Sequence, residues 1–307
     1  MIQPAFLRYD PRFIEDCILL AVRRHPDEKL YHGERDCLYE IADPEERERA
    51  FQNHSRGWFM RLGLADPIEK AVRERPDLLS AIKYCLVARA LERKEEGSEL
   101  FVSSEEGLND KGRRMGRILL RPDSLLDPCA LLTFLRHELL HITDMLDPHF
   151  GYEPALPSSG TWPAHDRLLR ERYRVLWDTT IDGRMHRLGW TLEKVRDERL
   201  GDFKCAFPML GEHTVGAFRH FFEQGPHTHS ELVGFACSPW ALSTGFQIVP
   251  QPGSRCRLCG FPTFAFAAEP ESMPVEVIAQ IVQDFPQWHP SRGLCLQCAD
   301  LYRECAV

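Results

Sequence analysis

The 307-residue chain predicts an α+β fold: a mostly helical domain, a small mixed sheet just ahead of one long helix, and a small C-terminal module built on cysteines. Three observations predict it. Apolar residues recur at helical spacing through much of residues 1 to 80 and again in two long stretches after residue 127. Short strand-like runs separated by glycines cluster in residues 81 to 122. Two Cys-x-x-Cys pairs lie near the C-terminus. The expected division is a helical region over 1–80, a core over 81–250 and a four-cysteine module over 251–307.

In the first region, Pro11 to Arg24 has helical periodicity, Pro44 to Ala50 is a charged helical stretch, and Asp66-Pro67 starts a helix reaching about Glu74. No chemical motif falls here, so the region reads as scaffold. Tyr84 to Leu91, Glu99 to Ser103 and Met115 to Arg121 read as strands, with Gly107 and Gly112 at turns between them. An edge strand of such a sheet can hold an extended peptide by strand addition.

Asp127-Pro128 then reads as an N-cap followed by proline at the first helical position. Leu131, Phe134, Leu135, Leu139, Ile142, Met145 and Leu146 follow at helical spacing up to Asp147-Pro148. Within this apolar helix lies His137-Glu138-Leu139-Leu140-His141, an H-E-x-x-H motif. Residues four apart share a helix face, so both imidazoles can hold one zinc ion. Glu138 stands close enough to take a proton from a water on that zinc. A buried helix carrying His, Glu and His must give them partners, and a metal ion supplies one.

Gly151 to Asp166 reads as a loop rich in Pro, Gly and Ser, and a second long helix runs from about Asp166 to Leu188, ending at Gly189. Residues 190 to 250 read as short helices and loops, with Ser230 to Ala236 among the helices, and Pro250 to Ser254 reads as a linker. A catalytic zinc usually has three protein ligands and water. Asp178 and Asp182, four apart on the second long helix, are the leading candidates for the third. Asp178 would ligate, and Asp182 would accept a hydrogen bond from a ligand imidazole. An i, i+4 pairing of Asp178 with Arg174 is the competing reading.

This arrangement resembles the zincin superfamily of metallopeptidases, over about residues 80 to 190. Within it, the closest pattern is the branch whose acidic ligand lies on the helix after H-E-x-x-H. The usual Glu-x-x-x-Asp would here be Asp178-x-x-x-Asp182. A second alignment, to the metzincins, places Asp147 at the last ligand position, with His149 a weaker candidate. Asp144 occupies the glycine position that lets that chain turn back to the metal, so Asp147 ranks behind Asp178. The resemblance implies a catalytic zinc on His137, His141 and Asp178, with Glu138 as general base and a nearby donor for the developing oxyanion. Tyr152, His165, Tyr173, Arg184, His213, His227 and His229 are all eligible as that donor, and none is singled out.

Cys256, Cys259, Cys295 and Cys298 form C-x2-C, 35 residues, then C-x2-C. Four thiolates in this arrangement suit a closed, structural zinc site. It resembles a treble-clef or ribbon-like zinc finger, with Gly260 at the knuckle, a helix from Pro274 to Phe285 inside the spacer, and another over Ala299 to Glu304. Cys17, Cys37, Cys85, Cys129, Cys205, Cys237 and Cys305 are scattered, and most are expected to be small core residues.

Composition sets the outer bounds. With 43% hydrophobic and 27% charged residues the chain can build a real core. A net charge of −8 gives no basic field to attract nucleic acid. Arg255, Arg257, Arg292 and Arg303, with Trp288 and Tyr302, are too few to change that for the module, whose expected role is packing or protein recognition. No apolar run reaches membrane-spanning length, and the first ten residues lack a signal-peptide pattern, so a cytoplasmic location is expected. The function expected is a cytosolic zinc metallopeptidase, with one catalytic and one structural Zn2+, acting on a peptide or protein. The alternatives are a non-catalytic interaction protein on the same scaffold and a metal hydrolase with a non-peptide substrate.

Overall fold

A computed structural model describes residues 6–23, 25–105, 109–157, 163–239, 255–267, 269–285 and 288–305. The protein is mixed α and β, mostly helical, with one four-stranded sheet. It forms two compact units, Met1–Ala236 and Cys237–Val307. No described helix is long and apolar enough to cross a membrane.

In the larger unit the chain runs β1 (Leu7–Tyr9), α1 (Pro11–Val22), α2 (Glu28–Cys37), α3 (Pro44–Arg61), α4 (Asp66–Arg73), α5 (Pro76–Ala81), β2 (Cys85–Arg89), β3 (Gly97–Val102), α6 (Asp110–Arg113) and β4 (Arg114–Leu120). It continues with α7 (Pro128–Leu146), α8 (Pro163–Arg187), α9 (Glu193–Ala206), α10 (Thr214–Glu223) and α11 (His229–Cys237). The sheet order is β1-β2-β4-β3. β1, β2 and β4 are parallel, and β3 runs antiparallel to β4 at the edge. The expected strands appear, and β1 is an addition. Its three residues are too few to show a pattern in sequence.

One core joins the N-terminal helices, the sheet and α7: Phe13, Ile18, Phe59, Ile68, Val87, Ile118, Leu120, Leu135, Leu139 and Ile142 all belong to it. Helix α3 extends well beyond the charged stretch at its start. Asp43 caps it through a 2.7 Å bond from the Glu46 N–H, and its buried anchors, Trp58 and Phe59, lie near its far end. Gly112 lies within the short helix α6, capped by Asn109, rather than at an open turn. Gly107 and the Pro250 to Ser254 linker fall outside the described residues. Of the scattered cysteines, Cys17 and Cys85 are buried, but Cys37, Cys129, Cys205 and Cys237 are exposed. The expectation of mostly core cysteines is therefore corrected: these four sit on the outer faces of helices or at their ends.

Helix α7 begins as the sequence predicts, with Asp127 accepting from the Ala130 N–H at 3.0 Å and Pro128 at its first position. Helix α8 is already formed at Pro163, three residues before Asp166, and the chain turns at Gly189 with φ +67°. Glycine fits there because an L side chain would be strained. Helices α9 and α10 pack on α8, and Phe203, Phe207, Phe218, Phe221 and Phe235 stack into a second apolar group. The approach of α10 depends on Gly183, where an added Cβ would lie 2.0 Å from the Phe222 carbonyl oxygen. Gly183→Ala must push two backbones apart, so it is expected to destabilise the unit by about 3 kcal/mol. A denaturant melt showing wild-type stability would refute this packing.

The smaller unit holds α12 (Val275–Asp284) and α13 (Leu296–Cys305). Its core is Met273, Val277, Ile281, Trp288, Leu294 and Ala299, beside three of the four paired cysteines. The isolated bridge Arg255↔Pro262 closes the loop of the first cysteine pair, and Phe266↔Cys295 ties the chain after it to the second pair. Gly260, at φ +73°, closes the first knuckle.

Candidate metal centres

Helix α7 carries His137 and His141 one turn apart, with ring centroids 4.9 Å from each other. Helix α8 brings Asp178 and Asp182 against them. The His141 Nε2 lies 3.2 Å from Asp178 Oδ1, and the His137 Nε2 lies 3.6 Å from Asp182 Oδ1. One ligand atom each from His137, His141 and Asp178 falls within 4.8 Å of the others. The fit to a metal rests on His137: its Nε2 is buried and has no hydrogen-bond partner, and 3.6 Å is too long for a bond to Asp182. A buried ring nitrogen left unpaired is costly, and a metal ion would satisfy it. Asp182 stands outside this three-residue group, facing the nitrogen of His137 that points into the site rather than the opposite one.

The electrostatics suit a dication. Burial disfavours the charged form of His137, yet Glu138, Asp182 and Asp178 together raise its pKa. Burial also pushes the carboxyl of Asp178 up, but His141, His137 and Arg199 outweigh it and hold the acid below its ordinary value. Glu138 behaves alike: burial raises it, and His137, His141 and the Ser98 N–H bring it down.

Glu138 is fixed by the sheet edge. Its Oε2 accepts from the Ser98 N–H at 2.9 Å, and the Ser98 hydroxyl donates to the Glu138 carbonyl oxygen at 2.9 Å. That N–H therefore faces away from β4, toward the open side of β3. Gly97 keeps the approach clear, since a Cβ there would stand 3.3 Å from the same Oε2. The other carboxylate oxygen lies 3.5 Å from His137 Nδ1.

The two helices are locked by Asp144. It accepts from Trp177 Nε1 at 2.7 Å and from both terminal nitrogens of Arg184 at 2.7 and 2.6 Å. Trp177 in turn packs edge-on against His141 at 4.5 Å. On the α4 side, Arg136 pairs twice with Glu74, at 2.7 and 2.6 Å. Asp144 is thus a structural clamp inside a continuing helix. Asp147 lies at the helix end, where its carboxylate accepts from the His149 N–H at 2.8 Å, and neither residue joins the metal group.

Four of the eligible donors are engaged elsewhere. Tyr173 and His229 hold each other at 2.7 Å, Arg184 is held by Asp144, and His227 bonds the His220 carbonyl at 3.1 Å. Tyr152 packs on Trp177 at 5.4 Å. His213 precedes α10, and the side chain of His165 lies outside the described residues. The residue that sequence reasoning missed is Arg199, on α9. Its Nε and Nη2 each lie 2.7 Å from Asp182 Oδ2, and its Nη1 lies 3.4 Å from Asp178 Oδ2 and 3.3 Å from Asp202 Oδ2. The expected Arg174–Asp178 pair is also present, at 3.1 Å, but it uses Oδ2 and leaves Oδ1 to the histidines.

The second centre is made of cysteines alone. The four paired cysteines converge with all sulfurs within 4.8 Å of one another. Cys256 Sγ is 3.8 Å from Cys298 Sγ, and Cys259 Sγ is 3.9 Å from Cys295 Sγ. Those gaps are far too long for disulfides. They match the edge of a tetrahedron about an ion ~2.3 Å from each sulfur, which is about 3.8 Å. Burial pushes the Cys256 thiol up, but N–H groups of Cys295, Cys259 and Leu258 outweigh it and bring the pKa down to about 7. Burial instead raises the thiols of Cys295 and Cys298, which would release their protons on binding a metal.

No protein-family model, curated protein or solved structure matches the chain.

Proposed function

We propose that the protein is a zinc-dependent hydrolase of the zincin type, acting on peptides, with a second, structural zinc on its four paired cysteines. The observation that carries this reading is the convergence of His137, His141 and Asp178 around an unpaired buried nitrogen, with Glu138 fixed beside them at a sheet edge. A purely structural centre has no need of that carboxylate.

Zinc bound by these three residues would acidify a water and polarise a scissile carbonyl. Glu138 supplies the base. Ser98 holds its Oε2, and Oε1, 3.5 Å from His137 Nδ1, is the oxygen that would take the proton and pass it to the leaving amine. The depressed pKa of Glu138 keeps it ionised and ready to accept. Substrate orientation falls to β3. By strand alternation, Leu100 and Val102 share the outward backbone direction of Ser98 and remain open to an added strand. That preference for an extended backbone is what favours a peptide over other substrates. A compartment without strong oxidants suits four cysteines kept as thiolates, so we place the protein in the cytoplasm.

The test is turnover of a mixed peptide library by the wild type and by Glu138→Gln. Cleavage by the first and not the second supports the reading. Equal absence of cleavage from both would favour a zinc-binding interaction protein.

A further inference from the structure

We infer that Arg199 is a positioning residue that keeps the His137 centre open, by holding Asp182 back from the metal position. The inference rests on the reading that this centre binds zinc.

Beside the three-residue group stands a fourth candidate oxygen, close to one of its members. His141 Nε2 faces Asp178 Oδ1 at 3.2 Å, and Asp182 Oδ1 lies 3.6 Å from His137 Nε2 alone. Two ligands of one tetrahedral zinc, each at about 2.0–2.1 Å, stand about 3.3–3.4 Å apart. Asp182 Oδ1 thus stands near ligand spacing from His137, while remaining outside the group that His137, His141 and Asp178 form. Four protein ligands would close the centre and leave no place for water, which is the mark of a structural site.

What restrains Asp182 comes from α9. Two guanidinium nitrogens of Arg199 sit on its Oδ2, each at 2.7 Å. Both partners are nearly enclosed, Asp182 with 6% and Arg199 with 16% of the side chain exposed, so solvent screening is weak there. The third nitrogen reaches Asp178 Oδ2 at 3.4 Å, which turns the other oxygen of that carboxylate inward. Arg174 pairs with Glu171 and Asp178 rather than Asp182 and is 59% exposed, so it lacks this double role. Each carboxylate thus gives one oxygen to Arg199 and keeps one for the histidines. A charged fork can hold two carboxylates in this way, whereas a lysine ammonium cannot reproduce its geometry.

Removing the fork has an unusual sign. Loss of a residue that merely supports a metal ligand weakens metal binding by about 10–100-fold. Loss of Arg199 frees Asp182 to ligate and deletes a nearby positive charge, so both effects tighten binding while filling the water position.

The experiment is zinc affinity by chelator competition on the full chain, read at the zinc that His137→Ala removes. Arg199→Gln is expected to bind that zinc at least about tenfold more tightly than the wild type and to lose hydrolysis. Adding Asp182→Asn to Arg199→Gln is expected to return the affinity to the wild-type range. Unchanged or weaker binding by a folded Arg199→Gln protein overturns the inference. So does a tightening that survives Asp182→Asn, since charge alone would then explain it. Should Arg199→Gln not fold, Arg199→Lys is read instead: tightening abolished by Asp182→Asn supports the inference, and wild-type affinity overturns it. A wild type with no His137-dependent zinc marks failure of the parent reading before any Arg199 variant is made.

Discussion

Glu138→Gln is expected to abolish hydrolysis, by about 10²–10⁴-fold, while the protein keeps its full metal content. The substitution preserves shape. The amide oxygen of Gln can still accept from the Ser98 N–H, and the Ser98 hydroxyl still has the main-chain carbonyl to bond. What disappears is the carboxylate oxygen that can take a proton. Because Glu138 is not in the three-residue metal group, the loss is expected in turnover and not in zinc. A variant that cleaves the library at the wild-type rate would remove Glu138 from the mechanism. A variant that loses its metal would show that Glu138 is a ligand instead.

Cys295→Ser is expected to unfold the smaller unit. Structural zinc contributes about 10–16 kcal/mol to the folding of a small domain. The core here is small, essentially Met273, Val277, Ile281, Trp288, Leu294 and Ala299 around the cysteines. Cys295 is central to it: its N–H donates to Cys256 Sγ at 3.3 Å, and its own sulfur accepts from the Cys298 N–H at 3.4 Å. A serine oxygen has neither the softness nor the reach to replace that sulfur. The expected readout is rapid proteolysis after residue 255, loss of one zinc and retention of the His137-dependent one. A C-terminal segment as protected as the wild type's would contradict the assignment.

Much of this was legible because the signals are local. Asp127-Pro128 announces the start of α7, and the four-residue spacing of His137 and His141 places both rings on one face whatever surrounds them. The same spacing put Asp178 and Asp182 together on α8. The two cysteine pairs are local knuckles, and the metal geometry between them follows from tetrahedral chemistry.

What stayed hidden is non-local. Arg199 reaches Asp182 across 17 residues because α9 folds back on α8, and no periodicity in one strand of text encodes that contact. The clamp from Ser98 to Glu138 spans 40 residues and depends on β3 being the edge strand. In sequence Asp144 marks only a position where the metzincin pattern has glycine, whereas its burial beside Trp177 and Arg184 makes it the lock between the two long helices. The sequence offers Asp182 either as a hydrogen-bond acceptor for a ligand imidazole or as the alternative to Asp178 as third ligand. It stands on the side of His137 that faces the site, where Arg199 decides its role.

Metal quantification on purified protein tests most directly whether the protein holds two separate zinc centres. Wild type is predicted to carry two zinc ions per chain, one at each group, and His137→Ala one. An identical count in the two proteins would contradict the account.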